Sequence, residues 1–160
     1  MSLTLRSPSF VHGASIPPKH TSDGDGIAPA LAWAGAPAAT RSFALIVDDP
    51  DAPSPTPAET AWVHWVAYDI PAGTKALPEG GRLPDGSRDG INDWQRPGYG
   101  GPSPPAGRHR YFFKLFALDC VLGDLPRPSK AALEKAMQGH VLARAELIGG
   151  YRRRRSAPAR

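Results

Sequence analysis

The chain has 160 residues, a mass of 17.0 kDa and 41% apolar side chains, which is the size of one domain with enough apolar surface for a core and excludes a disordered polymer. Its 17 glycines and 19 prolines break helices too often for a helical bundle and point to short strands joined by stiff loops. The formal charge of +4 is local: residues 152–160 hold five arginines and leave 14 bases against 15 acids elsewhere, a nearly neutral body that argues against nucleic acid as a partner.

In chain order, Leu3 to Phe10 is expected to hold a short strand, and Gly13 to Pro29 to form a long loop rich in Pro, Gly and Asp. Ser42 to Val47 is an apolar run stopped by Asp48-Asp49-Pro50, the pattern of a buried strand ending in a turn. Four prolines follow between residues 50 and 57 and exclude that loop from a sheet interior. Ala61 to Ile70, rich in β-branched and aromatic residues and ending at Pro71, is the second strong strand, with Trp62, His64, Val66 and Tyr68 on one face by period two. Residues 71–107 carry hardly a strand signal and read as two long loops, a length that usually serves function.

Arg110 to Leu118 is the third clear strand, apolar enough on both sides to be covered on both. A helix is expected from Ser129 to Gln138, with Ser129 as N-cap after Pro128, an apolar stripe of Leu133, Ala136 and Met137, and Gly139 as the stop. Val141 to Ile148 alternates like a strand. The sum is a mainly β fold of antiparallel strands with a peripheral helix: one domain over residues 1–151 and a basic C-terminal tail, 152–160, read as solvated. No apolar stretch is long enough to span a membrane and no apolar segment follows a basic start, so an integral membrane protein is not expected. A single cysteine, Cys120, agrees with a reducing, cytoplasmic setting.

Candidate chemistry gathers at strand ends that face the long loops: Asp49, Asp51, His64, Asn92, Asp93, His109 and Tyr111. None of them has a metal-binding spacing, and no serine elbow, phosphate loop or dinucleotide fingerprint is present, so neither a metal nor a cofactor is expected. Two histidines and several acids at one cavity suit the holding of an anion. Each also has a plain structural reading: His64 as a strand histidine satisfied by a backbone acceptor, Asp49 and Asp51 as caps of the turn around Pro50. Trp62, Trp65 and Trp94 read as core and pocket wall, since no basic residues interleave with them.

The segments Asp49-Pro50-Asp51-Ala52-Pro53, Trp62-Val63-His64-Trp65 and Gly98-Tyr99-Gly100-Gly101-Pro102-Ser103-Pro104-Pro105-Ala106-Gly107-Arg108-His109-Arg110-Tyr111, in this order, resemble the phosphatidylethanolamine-binding protein family, in its bacterial Raf kinase inhibitor-like branch. Flanking segments from Phe10 to Trp33 and from Ala136 to Tyr151 agree. The resemblance implies an antiparallel β-sandwich with one or two peripheral helices and a small anion-binding pocket at one end. By motif position it implies Asp49, His64, His109 and Tyr111 as pocket residues, with Ala52, Pro102 and Ser103 at the rim. Ser22 and Ser103 stand where bacterial relatives often carry cysteine, so a thiol-based role does not carry over.

The expected function is therefore binding of a small anion, a phosphate, carboxylate or phospholipid headgroup, with modulation of a protein partner such as a kinase. The resemblance also implies a homodimer in some bacterial relatives. The alternative is an acid/base hydrolase or isomerase that pairs Asp49 with His64 or His109 on a small anionic substrate. A third reading is an interaction protein in which the pocket is vestigial.

Overall fold

Ser42–Asp49 is buried at all eight of its positions, which a strand can be only when something covers both faces of its sheet. In the computed structural model, which describes residues 2–52 and 61–153, this strand is β3, central in a five-stranded sheet. The others are β1 (Thr4–Arg6), β2 (Leu31–Ala34), β4 (Trp62–Pro71), β5 (Ala76–Leu77), β6 (Arg88–Asp89), β7 (His109–Leu118) and β8 (Val141–Tyr151), with α1 (Lys130–Met137) between the last two. The large sheet runs β6-β4-β3-β7-β8 and the small one β1-β2-β5. Every ladder is antiparallel.

The small sheet covers one face of β3. Leu5, Leu31, Trp33 and Leu77 from that sheet pack with Phe43, Leu45, Trp65, Phe113 and Leu115 from the large one. The reverse face contributes Ala44, Ile46, Val66, Tyr68 and Phe116 to a second cluster, closed by Leu133 and Met137 of α1. An eight-residue helix is too short to persist alone. Burial of Leu133 and Met137, at about 1.5–3 kcal/mol each, holds it to the sheet. Lys130 at its start also donates to the buried Asp48 carboxylate at 2.7 Å, which Lys114 shares at 3.0 Å.

The antiparallel sandwich, the three long strands and the helix stand as read from the sequence. Ser129 is the N-cap, accepting from the amide of Ala132, and Gly139 adopts a φ of +82° just past the helix end, where only glycine is unstrained. Several expectations need correction. The short strand expected within Leu3 to Phe10 is Thr4–Arg6, and β8 runs past Ile148 to Tyr151 because its register with β7 continues to His109. The expected loop at 13–29 contains a 3-10 turn at Pro18–His20, and the loops of 71–107 supply the two-residue edge strands β5 and β6.

Period two also fails along β4. Val47 pairs with Trp65 but the adjacent Asp48 pairs with Val63, so His64 is an extra residue opposite no partner. A bulge of this kind turns the side chain away from the face that alternation assigns it. Val66 and Tyr68 therefore lie under α1, whereas His64 stacks edge-on against Tyr111, a member of the inter-sheet core. The prolines at 53, 55 and 57 and the arginines at 154, 155 and 160 lie outside the described residues.

Candidate functional site

Adjacent residues on a strand point to opposite faces, and the acids that end β3 divide accordingly. Asp48 faces the helix side and takes the two lysines. Asp49, 0% exposed, faces the other way and accepts from His109 Nδ1 at 2.8 Å. Its second oxygen accepts from the amide of Asp51 at 2.8 Å, so the turn-capping reading of Asp49 holds on one oxygen while the other meets His109. Asp51 then turns outward to Arg110, accepting from its amide at 2.8 Å, Nε at 3.0 Å and Nη2 at 2.9 Å. The Arg110 guanidinium lowers the Asp51 carboxyl to about 2.

His64 is wholly buried at its bulge. A carbonyl can only accept, so Nδ1–H of His64 donates to Gly100 O at 2.7 Å, and the Gly100 amide returns a bond to His64 O at 2.8 Å. The ring lies edge-on between Trp94 and Tyr111, with centroids 5.0 and 5.2 Å away. Gly100 is there for space: a Cβ would come within 2.1 Å of the Trp94 ring. The plain structural reading of His64 is thus correct for one nitrogen. Trp65 is core, while Trp62 and Trp94 meet edge to face beside His64.

All seven expected site residues lie toward one end of the large sheet. Asp49 ends β3, with Ala52 buried in the turn after it; His64 is near the start of β4; His109 and Tyr111 open β7. Pro102 and Ser103 belong to the loop that leads into β7. Pro102 O accepts from the Ser22 amide at 3.0 Å, which ties that loop to the 3-10 turn region. Tyr99 of the same loop donates its hydroxyl to His20 O at 2.7 Å, and burial pushes its ionisation far up. Burial likewise lowers the His20 imidazole, which donates Nδ1–H to Ile27 O at 3.0 Å. Asn92 and Asp93 are structural: Asn92 accepts from the amides of Trp94 and Arg96, and Asp93 from that of Val63.

The sequence reading missed the C-terminal contribution. Tyr151 pairs with His109 in the β7–β8 ladder, and two residues later Arg153 donates to Ser103 Oγ at 3.1 Å and lies 3.6 Å from Asp23. Tyr151 reaches the same Asp23 carboxylate at 2.5 Å. Arg153 is therefore seated at the expected rim and not in a solvated tail. The only signal for this was the strand alternation carried past Ile148. A groove of about 680 Å3 opens on the opposite face, between α1 and β7–β8. It holds none of the seven residues, and its Lys114 and Arg144 are matched by Glu134 and Glu146, so it has no excess charge to attract an anion.

Comparison with known proteins decides the family. A sequence profile described as "Phosphatidylethanolamine-binding protein" matches residues 6–152. The chain belongs to that family. It is 49% identical over 155 residues to a UPF0098 protein of Methanothermobacter thermautotrophicus, covering 94% of this chain and 99% of the relative. Among solved structures, a putative phosphatidylethanolamine-binding protein homolog from Chlamydia trachomatis is similar at 38% identity and a TM-score of 0.89, over 95% of this chain and 98% of the other. YbcL of E. coli, described as a member of the mammalian family, is similar at 32% identity and a TM-score of 0.85, over 96% and 100%. In this member of the phosphatidylethanolamine-binding protein family, no helix among the described residues is long and apolar enough to cross a membrane.

Proposed function

We propose that this protein binds small anions, with a phosphate or carboxylate headgroup met by His109, His64 and Arg153 at the loop end of the large sheet, and that the liganded state modulates a protein partner. The observation that carries the proposal is the Asp49–His109 pair. A fully buried carboxylate holds Nδ1–H of an imidazole that is itself only 11% exposed. This fixes the ring and leaves Nε2 as the nitrogen that meets a ligand. With both ring nitrogens carrying hydrogen, Nε2 is a donor to an anion. Arg153 beside Ser103 adds a permanent cation at the rim, and the bidentate geometry of a guanidinium suits a phosphate or carboxylate.

Calorimetric titration of inorganic phosphate, acetate and phosphoethanolamine tests the proposal. Saturable binding is expected in the wild type, weakened at least tenfold by Arg153→Ala and abolished by His64→Ala combined with His109→Ala. Circular dichroism confirms that each variant is folded. A folded wild type that binds none of the three anions overturns the proposal. The acid/base enzyme reading uses the same Asp49–His109 pair and is distinguished by turnover of a phosphate or carboxylate ester that disappears in His109→Ala.

A further inference from the structure

At the other end of β7 the structure assembles a second group of chemically capable side chains. Asp119 and Cys120 follow the last residue of β7, and His140 precedes the first of β8. Twenty residues and the whole of α1 separate them in sequence, so no short motif announces the grouping. In space, one donor atom from each of the three lies within 4.8 Å of the other two. His140 Nδ1 and Asp119 Oδ1 are 2.8 Å apart.

Backbone bonds hold each of the three in place. The Asp119 amide donates to His140 O at 3.0 Å, and the His140 amide to Met137 O at 2.9 Å. Ser42 Oγ donates to Cys120 O at 2.6 Å. The side chains remain accessible: Asp119 is 40% and His140 45% exposed, and Cys120 is half-buried.

We infer that Asp119, Cys120 and His140 form a binding site for a thiophilic divalent transition metal such as Zn2+, with sulfur, nitrogen and oxygen donors from this chain and water completing the shell. The donor set excludes Mg2+ and Ca2+, which take oxygen, and selects Zn2+ or Co2+, which take thiolate and imidazole together. Bond lengths of about 2.0–2.3 Å place tetrahedral donors roughly 3.3–3.6 Å apart. The present donors, all within 4.8 Å of one another with the His140–Asp119 pair at 2.8 Å, bracket that spacing.

The local field agrees. The Asp119 and Asp69 carboxylates act on the Cys120 sulfur, opposed by Arg41. These carboxylates favour a dication, and a metal that binds there expels the thiol proton. Asp69 itself is occupied by the amides of Leu122 and Gly123; it supplies charge and does not ligate. A bound metal would clip the end of β7 to the start of β8 and stabilise the fold by mass action.

Titration of metal-free protein with Co2+ tests the site. The wild type is expected to bind one equivalent, with a thiolate-to-cobalt charge-transfer band in the near ultraviolet, and Zn2+ is expected to displace it. Cys120→Ser removes the band, and Asp119→Asn and His140→Gln weaken binding about 10–100-fold. Zn2+ also slows alkylation of Cys120 and raises the Tm of the wild type but not of Cys120→Ser. Absence of the band in the wild type, its persistence in Cys120→Ser, or half an equivalent of metal bound between two chains overturns the assignment. Because the anion site lies at the other end of the sheet, phosphate titration of Cys120→Ser fails only if the first proposal fails.

Discussion

The molecule contains the same chemical pair twice, once near each end of β7. Asp49 with His109 and Asp119 with His140 each place a carboxylate oxygen 2.8 Å from an Nδ1. They differ in surroundings: the first pair is 0% and 11% exposed, the second 40% and 45%. At the first end the carboxylate is closed to water, so its bond to Nδ1 is held by protein and the geometry of the pair is fixed. At the second end water can replace either partner, and the same bond is weak and exchangeable. Burial, more than bond length, separates a pair held rigid from one whose side chains are free to regroup.

The largest expected effect breaks the first pair. Asp49→Ala leaves the Nδ1–H of His109 and the Asp51 amide without their acceptor in a buried setting, and a loss of about 3–5 kcal/mol is expected by urea denaturation. Asp119→Ala removes a bond of equal length at the exposed end and is expected to cost less than about 1 kcal/mol in metal-free protein. Equal losses at the two ends would refute burial as the distinguishing factor.

That contrast also explains which parts of the protein were legible in its sequence. Ser42–Asp49 and His109–Leu118 are long, apolar and β-branched or aromatic, and the helix is marked by Ser129 and Gly139, so local chemistry already names these elements. The two-residue strands at Ala76–Leu77 and Arg88–Asp89 have no such signal because their pairing is imposed by neighbours. The bulge at His64 is invisible for the same reason: alternation along β4 predicts one face, and only the register with β3 shows the extra residue. Residue types and motif order pointed to Asp49, His64 and His109. Nothing local joined Arg153 to Ser103, or Cys120 to His140, because these contacts exist only once β7 and β8 are paired.

A smaller effect sharpens the account of the buried end. Gly100 carries the carbonyl that fixes His64, and a Cβ there would strike the Trp94 ring and force the loop to move. Gly100→Ala is expected to cost about 1–3 kcal/mol, the usual range for overpacking, and to weaken phosphate binding by loosening the His64 ring. A calorimetric titration beside a denaturation curve checks both. A variant destabilised in that range but with unchanged phosphate affinity would show that His64 is packing alone and has no part in the site.

The smallest effect comes from a pair that looks strongest by bond count. Asp51 accepts three hydrogen bonds from Arg110, against one imidazole contact for Asp49, yet Arg110 is more than half exposed. Asp51→Asn is therefore expected to lower Tm at neutral pH by less than about 3 °C. The sign of its pH dependence follows from the lowered carboxyl. Folding depresses Asp51 from 3.8 to about 2, so the unfolded chain binds the proton more readily. The stabilisation is complete above about 4, and it is lost as the pH falls through about 2. Thermal melts from pH 7 down to 2 should show the wild type converging on Asp51→Asn only in the lowest part of that window. Convergence already near pH 6 would mean that a group other than this carboxylate controls acid stability at the site end, and would move the comparison from carboxylates to histidines.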